Sequence, residues 1–435
     1  MIRTAAAVLL LRESEGRLEV FIARRSPKLR FLGGFWAFPG GVLEKEDADL
    51  EACARRELVE ETGLALEGKT FDAVGRFLTP PFAPVRYDTV FFSARVGDDA
   101  RPVVDGGELV DGGWFAPEDA CARWREGTMP IAPPVLFVLE RLAESGAQDG
   151  LRRVGRDGEC ILAGELPPVR FSPGIEMASL KTPTLPPATT TNTYLVGAED
   201  VWIVDPATPD VDEQERLLAR LERRLEDGAT LRGVLLTHHH EDHVGAAVAV
   251  ARRFGLEARG HARTLDRAPD GLPCGAPLED GDTIELGRAP DGSPDWRLEA
   301  LFTPGHAQGH LCFRESRYRA LLAGDMVSTV STIVIDPPEG HLSTYLESLT
   351  RLADDALGVI YPAHGPPFPF GTKIFRRYLA HRAEREAKLV AALGDGVSAD
   401  DLDALVARVY DDVAPEVWPL AKRSLVAGLE KLREE

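Results

Sequence analysis

Two groups of residues in the sequence have the side chains and the spacing that divalent metal ions require. The first consists of Glu57, Glu60 and Glu61, whose spacing of i, i+3 and i+4 places them on one face of a helix. Carboxylates this close repel one another unless they are fully hydrated or bind a hard cation such as Mg²⁺ or Mn²⁺. Alone, the pattern is more typical of a hydrated helix face than of a metal site.

The second group is built from histidines and aspartates, and imidazole in particular suits zinc. Four of these residues form the pattern His238-x-His240-x-Asp242-His243, which follows the apolar run Val234–Leu236 and precedes a predicted helix. Ligands at such a strand-to-helix junction can reach two ions. The alternative, an exposed histidine-rich turn, does not explain the three motifs that follow in order, which are Thr303-Pro-Gly-His306, Ala323-Gly-Asp325 and Tyr361-Pro-Ala-His-Gly365.

The composition limits the classes of protein to which these groups can belong. The chain has 435 residues, enough for two or three domains, and 44% apolar with 28% charged residues is typical of a globular protein. Its net charge of −20 argues against a general attraction to nucleic acid, although a local basic patch can persist. Five scattered cysteines and the lack of long apolar runs predict a cytoplasmic protein without membrane contact.

The elements that must position the two groups follow from the apolar pattern. Residues 1–145 alternate strand-like runs with two helical stretches, and one of these, Asp49–Glu61, carries the three glutamates. Residues 146–168 are rich in glycine and charge with little periodicity, which predicts a linker. Residues 169–366 alternate strands and helices and contain every histidine motif, whereas residues 367–435 are almost wholly helical. The fold class predicted is an α/β multidomain protein.

The first region resembles the Nudix family of diphosphate hydrolases. The resemblance rests on Phe38-Pro-Gly-Gly41 followed by Arg56-Glu-Leu-Val-Glu-Glu-Thr-Gly-Leu64. It implies an α/β/α sandwich in which the three glutamates are catalytic and bind Mg²⁺ or Mn²⁺, while Arg56 orients them through a salt bridge. Glu108, ahead of the run Gly113-Trp-Phe-Ala-Pro117, lies where many relatives place a catalytic base, and a plain turn residue is the equal alternative.

One departure from the Nudix pattern concerns the loop before the helix. The spacing from Gly41 to Arg56 is one residue longer than in the family, and Asp47 and Ala48 lie where a glutamate is often found. This loop and the segment Arg86-Tyr-Asp-Thr-Val-Phe-Phe92 resemble the branch that cleaves coenzyme A. A small-molecule, nucleoside-diphosphate-linked substrate similar to coenzyme A is therefore predicted for this region.

Residues 169–366 resemble the metallo-beta-lactamase fold in its general hydrolase form, an αββα sandwich. The resemblance implies two zinc ions, with Asp325 bridging them and Asp242 also taking part in catalysis. It further implies that Asp205 and His310 support the ligands. One ion would be held by His238, His240 and His306, and the other by Asp242, His243 and His364.

The last region resembles the winged-helix tail of beta-lactamase-like proteins, some of which cleave single-stranded RNA. Between Lys373 and Lys388 the chain carries six basic residues against Glu384 and Glu386. This local charge predicts a surface for single-stranded RNA. The alternative is a helical cap that packs on the metal domain.

The function predicted is that of a bifunctional metal-dependent hydrolase. The Nudix half would cleave a diphosphate, and the zinc half a phosphodiester of single-stranded RNA. Hydrolysis of a small ester or thioester is the alternative for the zinc half. It is favoured by the net charge and by Thr303-Pro-Gly-His306-x-x-x-His310, which enzymes of the glyoxalase II type share. In a second alternative, one half is a non-catalytic binding module.

Overall fold

The computed structural model describes residues 2–29, 32–104 and 106–434. These residues form two compact units. The first contains residues up to Ala178 with the short segments 219–223 and 290–293, and the second contains the remainder. No helix in the described part of the chain is long and apolar enough to cross a membrane.

A mixed seven-stranded sheet lies at the centre of the first unit. Its strands are β1 (Ile2–Ser14), β2 (Arg17–Arg25), β3 (Trp36–Ala37), β4 (Gly40–Val42), β5 (Asp72–Leu78), β6 (Arg86–Arg95) and β7 (Leu109–Phe115). The order is β3-β2-β1-β6-β5, with β4 paired to β1 and β7 paired to β2. Strand β1 runs parallel to β6 and antiparallel to β2. Its segment Ala5–Leu11 is completely buried, as an uninterrupted apolar run predicts for a strand with neighbours on both sides.

Helix α1 (Leu50–Thr62) carries the three glutamates, close to the range that the sequence predicts. Asp49 caps its first turn by accepting a hydrogen bond from the Ala52 amide at 2.8 Å. Gly63 ends the helix in the left-handed conformation, with φ of 65°. The buried side of α1 contains Cys53, Ala54 and Leu58, which join the apolar core formed with β1 and β2. The glutamates therefore lie on a helix that the core holds firmly in place.

Residues 146–168, predicted to be a linker, are mostly helical in the structure. After α2 (Pro117–Arg125), the helical segment α3 (Pro133–Leu162) bends at Gly146, where φ is 70°. The chain reverses direction at this bend. The evidence is a hydrogen bond of 2.9 Å from Arg141 Nε to Asp157 Oδ2, two residues that a straight helix would separate by about 24 Å.

The apolar pattern hides the second arm of α3 because its buried face is made of small residues. Gly150, Val154 and Gly158 recur every four residues and are buried. Glycine contributes little hydropathy, so this stripe does not appear as an amphipathic helix in the sequence. The arm lies along β5, where a methyl of Val154 is close to Gly75 and the Gly155 backbone approaches the carbonyl of Val74.

Two sheets form the frame of the second unit. The chain enters this unit within β9 (Ile175–Lys181), which also pairs with β8 (Val169–Ser172). The remaining strands of the first sheet are β10 (Thr190–Val196), β11 (Asp200–Val204), β12 (Thr230–Leu235) and β13 (Ala258–Arg259), in the order β13-β12-β11-β10-β9. The second sheet keeps chain order and contains β14 (Thr283–Gly287), β15 (Trp296–Phe302), β16 (Leu311–Glu315), β17 (Leu321–Gly324) and β18 (Ile360–Pro362).

The helices after β11 fall into two sets. Those between strands are α4 (Val211–Glu226), α5 (Glu241–Val244), α6 (Ala247–Phe254), α7 (Ala262–Leu265) and α8 (Leu342–Ala353). Those of the tail are α9 (Lys373–Gly394), α10 (Leu402–Val409) and α11 (Trp418–Glu434), with a short 3-10 helix at Pro415–Val417. The tail helices share an apolar core that includes Leu389, Leu405 and Leu425.

Two of the six basic residues of α9 are buried, and the others contact neighbouring residues. Arg385 is buried, makes two hydrogen bonds with the carboxylate of Asp412 and donates to the carbonyl of Val409 at 2.6 Å. Arg382 is also buried and donates to the carbonyl of Ile333. The other four basic side chains contact Phe370, Ala353, Phe368 and Asp411. These contacts agree with the alternative of a helical cap.

We expect Arg385→Ala to destabilise the tail locally. The change removes a buried guanidinium and leaves the Val409 carbonyl without its partner, at a cost of about 2 kcal/mol. Amide hydrogen exchange in α10 and α11 should then accelerate about thirty-fold. Arg377→Ala is the control, because Arg377 is exposed and only stacks on Phe368. Equal exchange rates in both variants would contradict the structural role of Arg385.

Candidate functional site

The ends of several strands bring the histidines and aspartates of the second unit together. Strands β11 and β12 are parallel, as are β17 and β18, so the carboxyl ends within each pair lie at one edge of their sheet. The histidine-rich segment follows β12, and Asp205 follows β11 directly. Asp325 follows β17, His364 follows β18, and His306 lies in the loop after β15. Each histidine or aspartate motif predicted from the sequence therefore lies just after the end of a strand.

The seven predicted ligands gather into three overlapping groups. Within each group, the nitrogen and oxygen atoms that could bind an ion all lie within 4.8 Å of one another. His238 and His243 each belong to two groups, so the three groups form one continuous site. The groups are His238 with His240 and His306, His238 with His243 and Asp325, and Asp242 with His243 and His364.

Asp325 lies between the two ends of this site. Its Oδ2 is 3.4 Å from His306 Nε2, and its Oδ1 is 3.3 Å from His364 Nε2 and 3.5 Å from His243 Nε2. Each carboxylate oxygen therefore faces a different end. This is the arrangement that a carboxylate needs to bind two cations at once.

Hydrogen bonds orient the imidazole rings from behind. The Nδ1 atom of His243 is 2.9 Å from Asp205 Oδ2, that of His306 is 3.0 Å from the Val334 carbonyl, and that of His364 is 3.1 Å from the Thr190 carbonyl. Because a carbonyl can only accept, the last two rings carry their proton on Nδ1. The Nε2 atoms of these two rings then face the site, where each would bind a metal ion after losing any proton it carries.

The structure also places the two residues that the sequence analysis assigns to support. Asp205 accepts hydrogen bonds from the backbone and hydroxyl of Thr237, at 2.7 and 2.6 Å, while it holds His243. His310 is fully buried between Thr303 and Asp325, and its Nε2 accepts from the Asp325 amide at 3.1 Å. Asp205 therefore orients His243, and His310 contacts Asp325, although neither Asp205 nor His310 belongs to the ligand groups.

Burial and neighbouring charges set the protonation of the ligand histidines. Burial lowers the pKa of His240 to about 3, and the neighbouring histidines add to this effect. The same causes hold the pKa of His238 well below its usual range. In His243, burial would lower the pKa, but the carboxylates of Asp242 and Asp325 outweigh it and raise it. At neutral pH the rings of His238 and His240 are thus neutral, the form that binds a metal ion.

Two buried atoms show that these residues fit a metal. His243 Nε2 and Asp325 Oδ1 are buried from solvent, and neither has a hydrogen-bond partner among the described residues. Unsatisfied buried polar atoms are costly, and these two lie 3.5 Å apart within the group of His238, His243 and Asp325. A pair of divalent cations would satisfy both atoms.

The glutamates of the first unit are organised around one arginine. The Arg56 Nη1 atom donates to Glu57 Oε1 and Glu60 Oε2, both at 2.9 Å. The opposite edge of the guanidinium is held by Asp47, through bonds of 3.0 and 2.9 Å. Asp47 therefore fills the place where a glutamate is often found, despite the longer loop. The sequence alone does not reveal this contact of Asp47.

The third glutamate faces the loop before the helix. Glu61 Oε2 accepts from the Gly40 amide at 2.8 Å, and Glu57 lies so close to Gly41 that a Cβ there would be 2.1 Å from its Oε1. Compact groups of three ligand atoms occur, among the described residues, only in the second unit. The three glutamates thus share a helix face without converging on one point.

Glu108 interacts electrostatically with Glu57 and Glu61. It is exposed, directly precedes β7 and accepts from the Ser26 amide through its backbone carbonyl. Burial is the main cause that raises the pKa of Glu61, and the negative charges of Glu57 and Glu108 add to it. The role of Glu108 as a base stays a prediction.

We expect metal binding in the first unit to depend on pH through Glu61. Burial raises the pKa of Glu61 from its ordinary value of 4.5 to about 7, so the folded protein holds a proton that a cation must displace. Affinity for Mn²⁺ should therefore fall below pH 7 and level off above it. Calorimetric titration should give about ten-fold tighter binding at pH 8 than at pH 6.

The control for this titration is Glu61→Gln, which has no proton to displace. We expect it to bind Mn²⁺ more weakly and with much less dependence on pH. Identical affinities of the native protein at pH 6 and pH 8 would contradict the raised pKa of Glu61.

Family models match three parts of the chain. The NUDIX domain matches residues 1–134, the metallo-beta-lactamase superfamily residues 186–364, and the beta-lactamase associated winged helix domain residues 402–435. Curated relatives match the second part. They include lactamase-like protein adaB of Aspergillus niger, 32% identical, and lactamase-like protein nscB of Trichophyton verrucosum, 30% identical. The first alignment covers 47% of this chain and 58% of adaB, and the second 46% and 69% of nscB.

A further relative and one solved structure complete the comparison. Thioesterase pkgB of Emericella nidulans is 33% identical over 47% of this chain and 54% of its own length. A beta-lactamase domain protein from Burkholderia ambifaria shares the fold, with a TM-score of 0.50, 20% identity, and coverage of 61% of this chain and 87% of its own. The chain thus spans just over half the length of several curated relatives.

These findings define the class of protein. The fold is a mixed α/β arrangement of a Nudix domain, a metallo-beta-lactamase domain and a helical winged-helix region, which confirms the fold class predicted from the sequence. The chain belongs to the metallo-beta-lactamase superfamily and carries a NUDIX domain before that domain. Both domains imply dependence on divalent metal ions.

Proposed function

We propose that this chain is a two-site hydrolase whose second unit cleaves an acyl thioester. The position of Asp325 carries the proposal, since its two oxygens face the two ends of a histidine-rich site. We assign one cation to His238, His240 and His306, and the other to Asp242, His243 and His364. When bound, two such ions lower the pKa of a water molecule and stabilise a developing oxyanion.

The protein's own residues prepare the site for that chemistry. Asp205 and two backbone carbonyls orient the rings, so little reorganisation is needed during the reaction. Because every histidine among the ligands is assigned to a cation, none of these rings is left to give a proton to a leaving group. A thiolate, with a pKa near the 8.5 of cysteine, can leave without one. An alkoxide, whose pKa is closer to that of water at 15.7, leaves far less readily.

Two further observations support a thioester over RNA. Arg382 and Arg385 of α9 are buried and Lys388 pairs with Asp411, so half of the six basic residues of this helix are already bonded within the second unit. Among the relatives, pkgB of Emericella nidulans is named a thioesterase. Cleavage of single-stranded RNA, predicted first from the sequence, therefore becomes the alternative outcome of the test.

For the first unit we propose hydrolysis of a nucleoside-diphosphate-linked small molecule with Mg²⁺ or Mn²⁺. The Arg56 guanidinium, fixed by Asp47, holds Glu57 and Glu60 in position. These contacts keep Glu57 and Glu60 on the face of α1 that would bind the cation, with Glu108 as the proposed base. The preference for coenzyme A stays a prediction.

The test compares two substrates with the same metal-loaded, full-length protein. One is an acyl thioester of N-acetylcysteamine, with the released thiol measured by a colorimetric reagent, and the other is fluorescently labelled single-stranded RNA. We expect release of thiol and no cleavage of RNA. Cleavage of RNA without release of thiol would replace the proposed activity with a nuclease, and neither reaction by metal-replete protein would reject both.

A further inference from the structure

The structure assigns a positioning role to two threonines that lie beside Asp242, and this assignment rests on the proposed binuclear site. Thr191 Oγ1 donates to Asp242 Oδ2 at 3.2 Å, and the hydroxyls of Thr182 and Thr191 are 2.8 Å apart. We infer that these hydroxyls form a directed chain, Thr182 to Thr191 to Asp242, which fixes the carboxylate at the second cation position.

The direction of the chain follows from the number of protons. A hydroxyl has one proton to donate, and an ionised carboxylate can only accept. The proton of Thr191 is therefore committed to Asp242, so the bond between the threonines must be donated by Thr182. Each hydroxyl then has a defined orientation, and the carboxylate at the end of the chain has a defined rotation.

The surroundings of Thr191 make it a rigid support. Thr191 is fully buried at the start of β10, and its neighbour Asn192 donates to the carbonyls of Pro362 and Gly365 at 3.0 and 2.9 Å. The same strand therefore anchors the loop that carries His364. Thr182, in contrast, is half-buried in the segment before β10.

The position of the carboxylate shows which cation depends on this chain. Asp242 Oδ2 is 3.5 Å from His364 Nε2, and Oδ1 is 4.0 Å from His243 Nε2. None of the three residues of the first cation position is in hydrogen-bond contact with Thr191. Loss of the chain should therefore weaken the second cation and spare the first.

The experiment titrates the metal-free, full-length protein with Zn²⁺ alone, in competition with a chelator. The background carries Glu57→Gln and Glu61→Gln, so that the first unit contributes little. In Thr191→Val, which keeps the shape of the side chain, we expect the second equivalent to bind about ten- to hundred-fold more weakly and the first to be unchanged. Thr191→Ser should restore the second affinity to within about three-fold, because it restores the hydroxyl.

Two further variants separate positioning from simple loss of a buried hydroxyl. Thr182→Val should weaken the second equivalent by a smaller factor, because Thr191 keeps its proton for Asp242. Thr264→Val, which removes a buried hydroxyl bonded to the Gly309 carbonyl, should leave both affinities unchanged. Equal weakening of both equivalents in Thr191→Val, or no rescue by serine, would overturn the assignment.

This readout is independent of the substrate. No thioester or RNA is used, so a failure of the proposed thioester activity leaves the metal titration intact. If Thr191→Val does not fold, Thr182→Val still tests the chain, since its side chain is only half-buried. If Thr191→Val and Thr182→Val both bind the second Zn²⁺ as tightly as the native protein and Thr191→Ser do, the contact has no positioning role.

Discussion

Asp325→Asn is expected to abolish thioester hydrolysis, with a loss of at least about 10³-fold in kcat/KM. The substitution keeps the size of the side chain but removes the negative charge that faces His306, His243 and His364. Without that charge, two cations at adjacent positions are no longer compensated. Thiol release from the N-acetylcysteamine thioester and the content of bound Zn²⁺ after dialysis measure the two consequences.

The matched control is Glu339→Gln, which removes a carboxylate in the same unit that pairs with Arg267 and accepts from the Gln308 amide. We expect this variant to retain its bound Zn²⁺. If Asp325→Asn kept both metal ions and its full activity, the assignment of a bridging carboxylate would be wrong. The loss must also be confined to this site, so Mn²⁺ binding in the first unit should remain unchanged.

Gly41→Ala is expected to lower diphosphate hydrolysis in the first unit by about 10²-fold or more without a large loss of stability. A Cβ at this position would lie 2.1 Å from Glu57 Oε1, and the atom that must move is the end of a flexible side chain. Displacement of the Glu57 carboxylate relieves the clash at little energetic cost to the fold. However, it takes the carboxylate away from Arg56 and from any bound cation.

Glu57→Gln provides the comparison for this variant. It should lose activity to a similar or greater extent, because the charge itself is removed while the loop stays intact. Hydrolysis of coenzyme A and of ADP-ribose, with thermal unfolding measured in parallel, would test both variants. Full activity of Gly41→Ala on a substrate that the native protein cleaves would show that the position of Glu57 is not critical.

The parts of the site that carry chemistry could be predicted because they depend on local patterns. The spacing of Glu57, Glu60 and Glu61 requires a helix, and α1 begins one residue after its Asp49 cap. The histidine motifs follow apolar runs, and each run is a strand whose end delivers its ligand. Such features need only a few neighbouring residues to be recognised.

Features that depend on distant partners could not be predicted. The run Thr190–Thr193 is polar, yet all four residues are buried, because side chains in this run bond to Asp242, Gly365 and Asp205. In the same way, Asp47 gains its role only when α1 brings Arg56 against it. The basic stretch of α9 is a further example. Its charge is visible in the sequence, but the bonds of Arg385 to Asp412 and of Arg382 to the Ile333 carbonyl are not.

The hairpin formed by α3 has a consequence for any attempt to produce the first unit separately. Strand β5 is the terminal strand of its sheet, and the second arm of α3, ending at Leu162, lies along it. A fragment cut at residue 134, where the match to the NUDIX domain ends, would lack both arms and leave this strand uncovered. Uncovered terminal strands pair with other chains and promote aggregation. A fragment with a protected sheet should therefore extend at least to Leu162.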